Sequence, residues 1–122
     1  MVKKKTLGIL VLVLIASVLL TNFTIVKVNG SSMEPTYKDG ELLLGSRFFH
    51  LEEQMIVIFE KDNESYLKRI ISLDGNRVWI EGDNYQTSED SRDFGWINSS
   101  RIKARVFPQR RKPYTTDDGV EY

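Results

Sequence analysis

Apolar residues are concentrated in one unbroken stretch near the N-terminus and then recur in short runs cut by polar turns. Residues 6–26 carry no charged side chain, and Leu, Val and Ile dominate residues 9–20. As an α-helix these 21 residues would rise about 31 Å, close to the ~30 Å hydrocarbon core of a bilayer. The pattern predicts a transmembrane helix. A cleaved secretory signal is the rival reading, because Lys3, Lys4 and Lys5 precede the stretch. No small-x-small site follows it, only Leu20-Thr21-Asn22-Phe23, so an uncleaved anchor is expected. The lysine cluster should stay cytoplasmic and residues 27–122 should lie outside the cell membrane in a single-pass arrangement.

After the anchor the chain reads as β-rich. Residues 23–28 alternate, Glu41-Leu42-Leu43-Leu44 follows a Lys38-Asp39-Gly40 turn, and residues 55–59 are continuously apolar and β-branched. Lys61-Asp62-Asn63-Glu64 predicts a hairpin turn between residues 55–59 and 66–73. Asp74-Gly75-Asn76 predicts a second turn before residues 77–81, and residues 102–107 form a last strand closed by Pro108. The expected fold is mostly β, a compact antiparallel sheet or open barrel behind one N-terminal transmembrane helix. The domain reading is 1–26 basic tip and anchor, 27–108 folded domain, and 109–122 polar tail. Arg110-Arg111-Lys112 is expected to be a solvated part of that tail.

Charge and composition narrow the chemistry. None of the 17 acidic residues precedes residue 27, which leaves 14 basic against 17 acidic side chains and a net charge of −3 in residues 27–122. That balance argues against a nucleic-acid partner. With no cysteine and a single histidine, His50 in an expected loop, neither a metal site nor a Cys/His pair is expected. No cofactor is implied.

Three segments carry candidate chemistry. In Gly30-Ser31-Ser32-Met33-Glu34-Pro35-Thr36, Pro35 cannot continue a strand, so the chain must turn just after Ser32. A serine at such a junction can expose its hydroxyl and its backbone N–H together, as a nucleophile beside an oxyanion hole requires. A plain serine-rich loop fits that segment equally well. In Tyr66-Leu67-Lys68-Arg69-Ile70-Ile71, Tyr66 and Ile70 share a strand face with Lys68. Desolvation there would lower its pKa from ~10.4 to roughly 7–8, where an amine serves as a general base. An isolated Lys-Arg pair at a sheet edge would instead keep its charges in water. Residues 82–92, Gly-Asp-Asn-Tyr-Gln-Thr-Ser-Glu-Asp-Ser-Arg, read as a turn-rich loop. If extended, the segment would set Ser88, Asp90 and Arg92 on one side, where Asp90 and Arg92 could pair.

Together and in this order, the segments resemble the type I signal peptidase family. The match is Gly-x-Ser-Met-x-Pro-Thr at 30–36, Tyr-x-Lys-Arg at 66–69, and Gly-Asp-Asn with Ser-x-Asp-Ser-Arg at 82–92. Asp39-Gly40-Glu41-Leu42 resembles the segment after the family's nucleophile, and residues 101–108 its closing strand. The form resembles the short Gram-positive version. The resemblance implies the signal-peptidase/LexA-like β fold and a serine endopeptidase acting on preprotein signal peptides at the lipid surface, with no oligomer expected. It implies that Ser32 is the nucleophile, Lys68 the base, and Ser88 the group orienting the amine. Asp90 and Arg92 would brace the site with Arg69 close to them. Val26, Val28, Gly30, Met33, Tyr66 and Leu67 would bind the substrate as an added β-strand. Where some relatives add an oxyanion donor from a serine two positions before the nucleophile, this chain has Gly30, so the second donor must be backbone or water. The turn at Ser72-Leu73-Asp74-Gly75-Asn76, Tyr85 and Glu53-Gln54 depart from the family pattern.

Two alternatives share parts of this pattern. A LexA-like self-cleaving regulator would carry a DNA-binding region in place of the anchor. A non-proteolytic pilus-type relative, acting in assembly of surface proteins, would lack the serine or the lysine, and this chain keeps both; a specialised enzyme for a few substrates would keep them too.

Overall fold

The computed structural model describes residues 3–113. Helix α1, Lys4–Asn22, is apolar all round and buries no side chain, with a mean hydropathy of 2.0. Its 19 residues rise about 28 Å, long and apolar enough to cross a bilayer. The helix stops at Asn22, before the expected limit at residue 26. The β-branched run Thr24-Ile25-Val26 is drawn into a ladder instead, with β1 (Phe23–Lys27) pairing antiparallel to β2 (Leu42–Ser46).

Five more strands complete the sheet: β3 (Ile56–Lys61), β4 (Glu64–Asp74), β5 (Arg77–Glu81), β6 (Ile97–Asn98) and β7 (Ile102–Phe107). Their order is β1-β2-β7-β3-β4-β5-β6, and every pairing is antiparallel. Asp62 and Asn63 both take positive φ, which closes the β3–β4 hairpin where the sequence predicts it.

The continuous apolar run of β3 explains its central place. Ile56 and Ile58 enter one core cluster with Val28, Met33, Tyr37, Leu43, Ala104 and Val106. Val57 and Phe59 enter the other, with Ile70, Val78, Ile80, Ile97 and Ile102. A strand buried on both faces has no polar position to alternate with. Each such side chain contributes roughly 1.5–3 kcal/mol by burial.

Three elements differ from the sequence expectation. Ser91–Phe94 forms a short helix, α2, capped at Asp90, where residues 82–92 read as a loop, and β6 follows where no strand is expected. Residues 109 and 110, expected in the loose tail, are stitched to the domain. The Gln109 amide accepts from Ile56 N–H at 2.8 Å and donates to Ile56 and Val106 carbonyls at 2.7 and 2.8 Å. Arg110 donates to the Thr36 carbonyl at 3.0 Å and pairs with Glu41 at 2.7 Å. Residues 114–122 of the expected tail lie outside the described residues.

Candidate active site

The segment after β1 turns sharply because its ends are pinned. Gly30, at φ +83°, donates its N–H to Asp39 Oδ1 at 2.9 Å, and Val28 N–H reaches the Glu41 carbonyl at 2.8 Å. Met33, Thr36 and Tyr37 are buried, and Tyr37 N–H closes onto the Met33 carbonyl at 3.0 Å. The core therefore holds the turn from below, while Ser32 stays half-exposed on top.

Lys68 lies on β4 with only 3% of its surface exposed. Its Nζ donates to Ser88 Oγ at 3.0 Å, and Ser88 in turn donates to Asp90 Oδ2 at 2.6 Å. Burial pushes the Lys68 amine below its ordinary pKa, and the nearby Asp90 only partly opposes that. Asp90 is fully buried. Burial alone would push its carboxyl up. The Arg92 guanidinium, the Ser88 hydroxyl and the N–H groups of Gly82 and Arg92 outweigh that and hold it well below the usual carboxylate range. Arg92 Nε and Nη2 meet the two Asp90 oxygens at 2.9 and 2.6 Å. Ser88, Asp90 and Arg92 thus converge as expected, though not as an extended stretch. Asp90 is the N-cap of α2, in a capping box with Asp93, and Arg92 folds back from the first turn.

Arg69 faces the opposite way. Its partners are not Asp90 or Arg92 but Asp83, bound bidentately at 2.9 and 2.8 Å, and the carbonyls of Gln54 and Arg110. Both side chains of the Arg69–Asp83 pair are almost fully buried. Thr36 also donates to Asp83. Sequence reasoning gave Asp83 no role although Gly82-Asp83-Asn84 stood out as a motif. The available signal was Arg69 itself, which follows the candidate base directly and on the opposite strand face would need an acidic partner.

Residues 82–90 join the two halves of the site. Asn84 donates its N–H to the Ser32 carbonyl at 2.9 Å and its side-chain amide to the Ser31 carbonyl at 3.1 Å. Gly82 is crowded from both sides. A Cβ built there would overlap the Ser88 side chain and lie 2.7 Å from the Ser32 carbonyl oxygen. The serine that holds Lys68 and the backbone of Ser32 therefore press on one glycine. Among the described residues, Lys68 Nζ hydrogen-bonds Ser88 and not Ser32.

A groove of about 530 Å³ starts at Ser32 and Met33 and runs back along β1 to the end of α1. Of the residues expected to bind substrate, Val26, Val28, Met33, Tyr66 and Leu67 are among its walls and Gly30 is not, nor is Lys68. Its two sides are strand edges. Among the described residues, β1 pairs only with β2, and the Glu64–Lys68 part of β4 pairs only with β3, because β5 joins at Arg69. Two free edges across a groove suit an extended peptide held by main-chain hydrogen bonds.

With this geometry in place, comparison with known proteins is decisive at the family level. The family profile "Signal peptidase, peptidase S26" matches residues 2–84. The chain belongs to that family. Human mitochondrial inner membrane protease subunit 1 is 30% identical over 110 aligned positions, covering 68% of this chain and 66% of its own length. Signal peptidase IB of Staphylococcus aureus is 30% identical over 93 positions, covering 72% of this chain and 47% of its own. The chain therefore spans about two thirds of the first relative and about half of the second.

Proposed function

We propose that this S26-family chain is a membrane-anchored serine endopeptidase that removes signal peptides from exported preproteins, with Ser32 as nucleophile and Lys68 as general base. The observation that carries the reading is a buried lysine whose described hydrogen bond goes to a hydroxyl and not to a carboxylate. A structural lysine buried this deeply needs a counter-charge. A lysine that must act as a base needs the reverse, since only the neutral amine has a lone pair.

Ser88 serves that need. Its one proton is committed to Asp90, so it can only accept from Lys68. The amine is oriented through an N–H, and its lone pair is left for the nucleophile. Lys68 takes the Ser32 proton as the Ser32 oxygen bonds to the substrate carbonyl carbon. The oxyanion is received by the Ser32 N–H and a second donor from backbone or water. The C–N bond breaks, and the departing amine takes the proton from the Lys68 ammonium. Water then gives a proton to Lys68 and attacks the ester carbon; the C–O bond to Ser32 breaks, the N-terminal product leaves, and the Lys68 ammonium returns the proton to Ser32 Oγ. The names of the two relatives, a signal peptidase and an inner-membrane protease, favour a substrate presented at a membrane. The charge-free α1 behind Lys3, Lys4 and Lys5 would place the domain outside, within reach of a preprotein's cleavage site.

The test is cleavage of a preprotein by the full chain in membranes. Ser32→Ala and Lys68→Ala should each abolish it, and the double variant should be no worse, because residues acting as a unit are non-additive. Full activity in Ser32→Ala would refute the assignment.

A further inference from the structure

The groove changes character along its length. Near Ser32 its walls are apolar: Val26, Val28, Met33, Ile58, Leu67 and Ala104. Farther along, toward α1, Thr24, Arg47, Glu60, Ser65 and Lys103 join the apolar Leu20, Phe23 and Ile25, so that charged groups line this end beside the Val26–Ile58 floor. The change is built into the strands. Ile58 and Glu60 follow one another on the same face of β3, and Glu60 stands opposite Ser65. Lys103 is the extra residue of a bulge, because Ile58 pairs with Ala104 and Phe59 with Ile102, which leaves Lys103 without a ladder partner. Bulges re-aim a side chain, and this one turns a lysine toward the groove. Neither Glu60 nor Lys103 is in an ion pair among the described residues.

The direction of the substrate follows from the anchor. The far end of the groove is lined by Leu20, Thr21 and Asn22, at the end of α1. A substrate whose apolar segment lies in the bilayer must enter from that end, so the residues before the cleaved bond lie along the groove. In an added strand, alternate residues face its floor, and two residues span roughly 6.6 Å. If the residue at the cleaved bond sits by Val28 and Met33, the third before it meets Val26, Ile58 and Leu67. The fifth then meets Thr24, Glu60 and Lys103.

Resting on the peptidase reading, we propose that this far end is a subsite for the fifth residue before the cleaved bond. It takes a polar side chain, and Glu60 and Lys103 together set which charge is accepted. Both groups are solvent-exposed, so each charge reversal should move charge selectivity by about 2- to 5-fold and no more.

The experiment uses the full chain in nanodiscs and labelled preprotein peptides that differ only at that position, with Leu, Gln, Glu or Lys. Affinity is measured in the Ser32→Ala background, and kcat/KM with Ser32 intact. Gln should bind several-fold better than Leu. Glu60→Lys should shift the Glu-to-Lys affinity ratio toward Glu, and Lys103→Glu should shift it toward Lys. Ratios that are equal in all three proteins, or Leu binding as well as Gln, would overturn the subsite. So would a charge effect that appears only when the third or the seventh residue is varied. Charge-dependent binding without cleavage by the Ser32-intact chain would uphold the subsite and refute the peptidase reading.

Discussion

Gly82→Ala offers the sharpest test of how the site is held together. The added Cβ would lie 2.6 Å from Ser88 Cβ and 2.7 Å from the Ser32 carbonyl oxygen, where ordinary contact begins near 3.4 Å. One obstacle is backbone, and that backbone oxygen is already bonded to Asn84 N–H at 2.9 Å. Neither neighbour can yield by turning a flexible side chain. The 82–90 loop must withdraw from the Ser32 turn by something on the order of 1 Å, and overpacking of this kind costs about 1–3 kcal/mol. For a domain of this size the melting temperature should fall by roughly 4–8 °C per kcal/mol. Activity should fall further than stability, since a misplacement of about 1 Å is worth about a hundredfold in rate. The assay is kcat/KM on a preprotein, measured well below the melting temperature followed by circular dichroism. Gly8→Ala is the control, because nothing lies within 4 Å of a Cβ there. Unchanged kcat/KM and unchanged melting in Gly82→Ala would refute the claim that Ser32 and Ser88 are positioned against each other through this residue.

Three further outcomes follow from the same geometry. Lys68 has a lowered folded pKa, so between that value and its unfolded pKa of 10.5 the unfolded chain binds more protons. Stability should therefore rise with pH across that window, while activity should rise with pH through the lowered folded pKa and then level off. Lys68→Met should be inactive yet melt higher than wild type near neutral pH, with the gap closing in alkali; a lower melting temperature at every pH would show that the lysine is a structural cation. Asp83→Asn leaves the Arg69 guanidinium buried without its counter-charge, and urea unfolding should register a loss of about 3–5 kcal/mol. Arg110→Ala removes the hydrogen bond to the Thr36 carbonyl, the Glu41 pair and the stack on Tyr37, and should cost about 1–2 kcal/mol in the same assay, while Arg111→Ala should cost nothing measurable.

The strands were legible because each is a local event. The continuous apolar run at 56–59, the Asp62-Asn63 turn and the apolar Val78-Trp79-Ile80 after the Asp74-Gly75-Asn76 turn each carry a local signal. The end of α1 was legible only in part: residues 23–28 alternate and read as a strand, as β1 shows, but the charge-free stretch runs on to Val26 and placed the helix end four residues too late. The distant partner Leu42–Ser46 decides where the helix gives way to the strand. The same limit hid β6, two residues long and paired across to Val78 and Arg77, and the Gln109 side chain, which stands in for a strand against Ile56. Within the site, the grouping of Ser88, Asp90 and Arg92 was legible from composition and spacing. The opposite facing of Arg69 was also implicit, since adjacent strand residues point to opposite faces. The partner it meets there, Asp83, depends on the course of a loop that no period describes.

The division between those two faces has a physical rationale. A base lysine must be dry enough to lose its proton, but a carboxylate in direct contact would hold that proton in place. The chain separates the two demands. Asp90 is one hydroxyl away from Lys68, and its charge is already matched by the Arg92 fork and three further donors. The rigid ion pair that fixes β4 against the 82–90 loop is made by the next residue, Arg69, on the far side of the strand. Rigidity is thus supplied by a neighbour whose charge points away from the amine, and the amine itself is oriented by a neutral group. Exchanging the two residues, Lys68→Arg with Arg69→Lys, would keep the composition and place a permanent cation at Ser88. Burial favours the neutral form of lysine but leaves a guanidinium charged, so that exchange should remove the proposed base, and with it preprotein cleavage, while the charge count of the sheet stays the same.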